Sequence, residues 1–387
     1  MVQVQPVLPY FLRSRLHDQP ALRAATNQAH YLLHRSLASE LHDMLTSGTE
    51  PEKRMLGQAV AKAEYANLTS ALDFGLHTGQ RISSLILVLD EYLDQAQQHD
   101  TRRQLLDSAI AASPQSLSAD QQRDLLVVHN LAGHTALGQH RLDHAQAHYQ
   151  AEIQLKEALG ERRSAGVTYH QLGRVAQEQR RYAEAEASYR RALDIKLEFG
   201  DRSSAAATYH QLGRVAQLQR RFDEAEASYR RALDIYLEFN DRYETADCYH
   251  QLGMVAEEQR QFTEAEASYR QAFDIYLGFG NTYNASIAER HLGGLLAHLG
   301  HHEEASRHLL RAAASWHQET GRWSEEDLRW LHRERALVGA DEFAALVQGG
   351  VPEELIGELT AAVDAAKNLP EEAEAGAARE PGSGDNQ

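Results

Sequence analysis

The sequence is poor in cysteine and proline. Its 387 residues include one cysteine, Cys248, and eight prolines. A single thiol excludes both an intrachain disulfide and a Cys-x-x-Cys metal site, and it fits a reducing compartment. Proline interrupts helices, so its scarcity, together with abundant alanine, leucine, glutamate, glutamine and arginine, favours helices over strands. The composition therefore predicts an all-α protein.

Long apolar segments and an excess of positive charge are also missing. The strongest apolar run, Leu85 to Leu89, is far shorter than the roughly 20 residues that span a bilayer. The amino terminus lacks the basic and apolar regions of a signal peptide. The net charge of −17 repels phosphate groups, so we expect neither nucleic acid nor a membrane as partner. These features predict a cytoplasmic protein.

Three motifs of catalytic and nucleotide-binding proteins do not occur. The sequence contains no Gly-x-x-x-x-Gly-Lys-Ser/Thr phosphate loop, no Gly-x-Ser-x-Gly elbow and no His-Glu-x-x-His zinc motif. The sequence therefore predicts that the protein is not an enzyme and needs no cofactor.

A repeat of 40 residues dominates the middle of the chain. The pentapeptide Tyr-His-Gln-Leu-Gly begins at Tyr169, Tyr209 and Tyr249. Segments 161–200 and 201–240 are identical at about 31 of 40 positions. Weaker copies on both sides give about five units between residues 121 and 320. Such repeats bury their apolar faces by stacking on one another.

Each unit reads as two helices. In 161–200 the apolar positions follow helical spacing, first through Tyr169 and Ala176 and then through Ala185 and Leu193. A mid-helix glycine costs about 1 kcal/mol relative to alanine, yet one recurs in every unit, so we expect a second helix to pack closely against it. These glycines are Gly133, Gly173, Gly213, Gly253 and Gly293.

The ends of the helices are marked in the same periodic way. Gly200, Asn240 and Gly280 stand where each second helix should end, and both residue types tolerate the left-handed conformation. Asp201 and Asp241 follow and can cap the next helix.

These residues resemble the tetratricopeptide repeat family. The family pattern is met by Tyr169, Leu172, Gly173, Ala176, Ala185, Tyr189 and Ala192, although the period is 40 and not the usual 34. The resemblance implies a right-handed superhelical solenoid of antiparallel helix pairs that binds protein or peptide. The string from Glu64 to Leu72 is similar to a segment that precedes the repeats in bacterial STAND-type signalling NTPases, but the phosphate-loop domain of those proteins is absent here.

We divide the chain into four parts. Residues 1–120 form a helical region, and residues 121–320 hold the repeats. Residues 321–369 form helices that cap the last repeat, and the acidic tail 370–387 is expected to be disordered.

The resemblance also locates a candidate binding groove, because the first helix of each pair lines the concave surface in this family. We name the polar side chains expected there the polar series. They could hydrogen-bond an extended peptide, with the arginines pairing its carboxylates; duplication alone would also copy them. The series comprises His170, Arg174, Gln177, His210, Arg214, Gln217, His250, Met254, Glu257 and Arg290.

Other candidates are weaker. His140, His144 and His148, and separately His30 and His34, have the i, i+4 spacing that can chelate zinc or nickel, but a solvated helix face explains it equally well and is favoured. Cys248 is interpreted as a packing residue because no activating base is indicated.

The predicted function is a protein- or peptide-binding scaffold. The alternative is a ligand-sensing regulatory protein, in signalling or defence, that works with a separate NTPase or effector. The sequence does not predict the oligomeric state or the identity of the partner.

Overall fold

The chain is helical throughout the part that the structure describes. The structure, a computed structural model, describes residues 19–114 and 116–368. Within those residues it contains seventeen α-helices and one short 3₁₀ helix, and no strand. The predicted all-α class is confirmed. The chain divides into two compact units, Met1–Ile195 and Lys196–Gln387, and each is described by itself.

Unit one begins with four helices that share a core around Tyr31 and Leu85. The Tyr31 hydroxyl donates a hydrogen bond to the Arg81 carbonyl at 2.6 Å. Asp124 accepts the backbone N–H groups of Ile82 and Ser83, which fixes the start of the third helix. The helices are α1 (Pro20–Leu45), α2 (Pro51–Thr78), α3 (Ser83–Gln95), α4 (His99–Ala111), α5 (Ala119–Gly138), α6 (Leu142–Ala158) and α7 (Arg162–Glu178), and α8 (Tyr182–Glu198) crosses the unit boundary.

Unit two continues with three helix pairs and ends with shorter helices. The shorter helices pack Leu331, Leu346 and Leu359 against Leu309 and Leu310 of the last pair. The helices are α9 (Arg202–Leu218), α10 (Phe222–Glu238), α11 (Arg242–Glu258), α12 (Phe262–Gly278), α13 (Thr282–His298), α14 (His302–Thr320), α15 (Glu325–Val338), α16 (Ala340–Gly350) and α17 (Glu353–Ala365), followed by the 3₁₀ helix Ala366–Asn368.

Close contact between the two helices of a pair explains the repeated glycine. A Cβ placed on Gly213 would lie 2.8 Å from the Tyr229 ring, which is fully buried. Gly173 and Gly253 meet Tyr189 and Tyr269 in the same way. The expected close approach is confirmed, and its partner in these three pairs is a tyrosine.

The predicted ends of the second helices are also confirmed. Gly200, Asn240 and Gly280 have φ of 71°, 56° and 69°. The side chains of Asp201 and Asp241 accept the backbone N–H groups that begin the next helix.

The turn inside each pair has a backbone conformation that was not predicted. It contains a left-handed residue that is not glycine in four of the five pairs, where φ lies between 53° and 61°. These residues are His140, Arg180, Arg220 and Arg260, and Gly300 takes the position in the fifth pair.

The four-part division of the chain stays a prediction. Five helix pairs, α5 to α14, occupy the expected region. The tail at 370–387 lies outside the described residues. Among the described residues, no helix combines the length and apolar character needed to cross a membrane.

Candidate functional site

The polar series of unit one lies on α7. The His170 ring contacts the Tyr189 ring, with centroids 5.2 Å apart. Gln177 Oε1 accepts a hydrogen bond from the Tyr189 hydroxyl at 3.2 Å. Arg174 is partly exposed and donates to Gln171 at 3.3 Å. The histidine and the glutamine therefore support the buried tyrosine, and the arginine reaches the surface.

Unit two repeats this arrangement on α9. The ring centroids of His210 and Tyr229 are 5.3 Å apart. Gln217 Oε1 accepts from the Tyr229 hydroxyl at 2.8 Å, and Arg214 is partly exposed. On α7 and on α9, contacts with the tyrosine of the paired helix fix the histidine and the glutamine of the polar series.

Helix α11 carries a modified version of the same arrangement. Glu257 replaces the glutamine and accepts from the Tyr269 hydroxyl at 2.9 Å. His250 is buried, and its ring lies 5.9 Å from that of Tyr269. Met254 replaces the arginine and packs against the apolar cluster that contains Tyr269 and Leu292. The surface is therefore less polar here than on α9.

Arg290 occupies a different environment from the other arginines. It is 9% exposed and forms an ion pair with Asp327 of α15, which is fully buried. Its guanidinium also lies 5.0 Å from the centroid of the Trp316 ring. We therefore assign Arg290 a packing role between α13 and α15, not one in an open groove.

Helix α15 also covers part of α13. The Trp330 ring comes within 3.3 Å of a Cβ placed on Gly294, and it contacts the His298 ring edge-on at 5.2 Å. Helix α15 thus covers the first-helix surface of unit two at α13, whereas Arg214 on α9 is partly exposed.

Burial keeps two histidines of unit two, His210 and His291, neutral near pH 7. Burial, together with the charge of Arg214, lowers the pKa of His210 to about 4. Burial also lowers the pKa of His291 to about 3, with His250 and Arg290 adding to the effect. His291 stacks on the Tyr269 ring at 5.4 Å. Sequence reasoning missed His291 because it falls outside the Tyr-His-Gln-Leu-Gly pattern.

In the described part of the chain, His140, His144 and His148 do not form a metal centre. His148 Nδ1 lies 3.1 Å from His129 Nδ1, and His140 faces Glu178 at 3.6 Å. In unit one, His34 Nε2 lies 3.4 Å from Glu64. No described group of three or more His, Cys, Asp or Glu side chains has the geometry to hold a metal ion.

Cys248 has the environment of a packing residue. Its side chain is fully buried. Burial raises the pKa of the thiol, and the carboxylates of Asp247 and Glu244 raise it further. The thiolate is the reactive form of cysteine, so this side chain is a poor nucleophile.

Two buried lysines were missed. Lys156 Nζ lies 2.7 Å from Glu152 and 2.8 Å from the Thr168 hydroxyl. Lys196 donates to the Ser204 carbonyl at 2.9 Å and to Thr208 at 2.8 Å. One repeat later, Ala192 stands at the position of Glu152. Burial lowers the pKa of Lys196.

The rarity of lysine was the available clue to these two residues. The chain has five lysines, and Lys156 and Lys196 stand one period apart. Equivalent positions 236 and 276 carry tyrosine, so this position belongs to the helix interface in the later repeats also.

Comparison with known proteins agrees with this fold. The tetratricopeptide repeat family matches residues 95–198 and 204–277. The apo form of RapI is 11% identical, with 84% of this chain and 85% of that chain covered and a TM-score of 0.61. A STAND protein with a tetratricopeptide repeat sensor, PH0952 from Pyrococcus horikoshii, is 13% identical, with 86% of this chain covered and a TM-score of 0.53.

These structural similarities establish the fold alone. The match to the STAND protein covers 55% of that protein. A search of curated protein sequences gives no significant match.

Proposed function

We propose that this chain binds a protein or peptide through the first helices of its repeats. Residues 95–198 and 204–277 match the tetratricopeptide repeat family. One observation carries the proposal. On α7 and again on α9, a buried tyrosine supports the histidine and glutamine of the polar series, and an arginine beside them is partly exposed. Side chains fixed in this way lose little conformational entropy when a ligand binds.

The chemistry of this surface favours an extended peptide that carries carboxylates. Arginine pairs with carboxylates through two parallel hydrogen bonds. The neutral imidazole of His210 adds no charge, because its pKa is about 4. The net charge of −17 opposes an acidic partner at long range, but screening at physiological salt limits that repulsion to about 8 Å. Short-range pairing with Arg174 in unit one or Arg214 in unit two is therefore decisive.

Selection of peptides from a random display library on the full chain tests the proposal. We expect enrichment of peptides that contain Asp or Glu. In fluorescence anisotropy, Arg214→Glu should weaken the binding of an enriched peptide at least tenfold, which corresponds to about 1.4 kcal/mol of binding free energy. Arg174→Glu should act in the same direction on peptides that bind unit one.

The matched control makes the same charge change on a second helix. Arg190 is exposed and pairs with Glu186 of its own helix, so Arg190→Glu should leave the affinity within twofold. Equal weakening by Arg190→Glu and Arg214→Glu would mean that net charge governs binding, and the groove proposal would be wrong.

The alternative function, ligand sensing with a separate NTPase or effector, stays a hypothesis from the sequence.

A further inference from the structure

Unit two carries exposed apolar side chains at the ends of its second helices. The same two positions, a leucine and the phenylalanine two residues later, recur in three successive repeats. All six side chains are between 42% and 54% exposed. We name this set the apolar stripe; it consists of Leu197, Phe199, Leu237, Phe239, Leu277 and Phe279.

Ion pairs link successive second helices of unit two. Arg230 of α10 pairs with Glu264 of α12. One repeat later, Arg270 of α12 pairs with Glu304 of α14 at 3.0 Å. In both cases an arginine from the middle of one second helix reaches a glutamate in the first turn of the next, so the leucine and phenylalanine recur at the same place in each repeat. Single exposed apolar residues are ordinary, but a contiguous apolar patch marks an interaction surface.

Duplication alone does not account for the stripe. The repeats at 201–240 and 241–280 have diverged beside it: Glu238 corresponds to Gly278, and Asn240 corresponds to Gly280. On the first helices, Arg214 has become Met254. Leu237 and Phe239 correspond to Leu277 and Phe279, so the leucine and the phenylalanine are the same in both repeats although their neighbours differ.

Carboxylates surround the apolar side chains. Asp234 and Asp274 are exposed, and each lies three residues before the leucine of its helix, so it shares that face. Glu238 is exposed beside Phe239 and pairs with Arg202 at 2.7 Å. The nearest lysine, Lys196, is buried. Exposed Arg202 and Arg242 follow Phe199 and Phe239 by three residues, so the border is acidic at Asp234 and Asp274 beside the leucines and mixed in charge beyond the phenylalanines.

We propose that the apolar stripe is a docking surface for a basic amphipathic helix of a partner protein. Such a helix presents leucine or phenylalanine side chains on one face, with lysine or arginine beside them. Its apolar face covers the stripe, and its cations meet Asp234 and Asp274. A second copy of this chain would bring like charges together, and an anionic membrane would be repelled. This surface is on the second helices, so it is separate from the first-helix groove.

A designed probe tests the proposal directly. The probe is a fluorescein-labelled 18-residue helix of leucine and lysine, with leucine at i, i+3, i+4 and i+7, titrated with the full chain. We expect saturable binding. The double variant Phe239→Ser/Phe279→Ser should weaken binding at least tenfold. Asp234→Asn/Asp274→Asn should weaken it and reduce its dependence on salt.

Two controls accompany the probe. Met55 and Leu56 of unit one are 69% and 57% exposed, so Met55→Ser/Leu56→Ser changes two apolar side chains that are more exposed than Phe239 and Phe279 and should leave the affinity unchanged. A helix of leucine and glutamate with the same pattern should not bind. Circular dichroism spectra that match the unmodified chain would establish that each variant is folded.

Three results would overturn the proposal. Unchanged affinity of the Phe239→Ser/Phe279→Ser variant would show that the probe binds by charge alone. A dimer in sedimentation velocity that this variant abolishes would make a second copy the occupant. Binding of the unmodified chain, but not of the variant, to phosphatidylserine vesicles would make a lipid surface the occupant.

Discussion

A single tyrosine links the packing of each central helix pair to the surface proposed for binding. The ring of Tyr229 fills the space that Gly213 leaves, and it contacts the ring of His210. Its hydroxyl is held by Gln217. Packing and function therefore share residues here. A change at the glycine should disturb both stability and the position of the polar series.

Replacement of this glycine should be strongly destabilising. In Gly213→Ala the new Cβ would lie 2.8 Å from the Tyr229 ring, a distance that real contacts do not show. The buried ring has no room to move, so we expect a loss of about 2–3 kcal/mol in the free energy of unfolding. Urea denaturation followed by circular dichroism measures it.

The matched control uses a helical glycine that meets nothing. No atom lies within 4 Å of a Cβ placed on Gly278. Gly278→Ala should therefore stabilise the protein by up to about 1 kcal/mol through helix propensity. If Gly213→Ala also stabilised the protein, the close approach would not be the reason for this glycine.

At the scale of helices, the sequence predicted the left-handed conformation in one of the two turns of each repeat. The turn between repeats contains Gly200, Asn240 or Gly280, residue types that adopt φ above zero readily. The turn inside each pair places Arg180, Arg220 or Arg260 in that conformation. Nothing in the chemistry of arginine indicates a positive φ, so this conformation could not be predicted from residue type.

Glycine should therefore improve the turn inside a pair. Arg260 has φ of 61°, a region that costs an L-residue about 1 kcal/mol. We expect Arg260→Gly to raise the free energy of unfolding by about 0.5–1 kcal/mol. The fifth pair provides the reciprocal control, because Gly300 holds the equivalent position with φ of 82°. Gly300→Ala should destabilise, and a loss of stability in Arg260→Gly would contradict the expectation.

At the scale of the molecule, the sequence predicted architecture better than it predicted the site. Periodicity located the helix pairs because each pair repeats the same apolar spacing. The polar series was harder to interpret, since a sequence shows that His170 and Gln177 recur but not that both contact the same tyrosine. Arg290 illustrates the limit. Its ion pair is with Asp327, 37 positions away and outside the repeat, so the 40-residue period gives no indication of it.

The stability of the whole molecule in acid should depend on the buried histidines His210 and His291. The pKa of His210 is about 4 and that of His291 about 3, against 6.5 in the unfolded chain. Between pH 6.5 and 4 the unfolded chain binds protons that the folded chain does not, so acidification favours unfolding. We expect each histidine to reduce the free energy of unfolding by about 1–2 kcal/mol between pH 7 and pH 5.

Two effects oppose this loss, and the experiment must separate them. Burial raises the pKa of Glu244 to about 6, so the folded chain gains a proton there and is stabilised as the pH falls. The net charge of −17 also shrinks, which reduces repulsion. Both effects are the same in the double variant His210→Gln/His291→Gln, so the difference between it and the unmodified chain reports the histidines alone. Urea denaturation at pH 7, 6 and 5 with constant ionic strength should show a flatter profile for the variant; parallel profiles would mean that these histidines are accessible to protons in the folded protein.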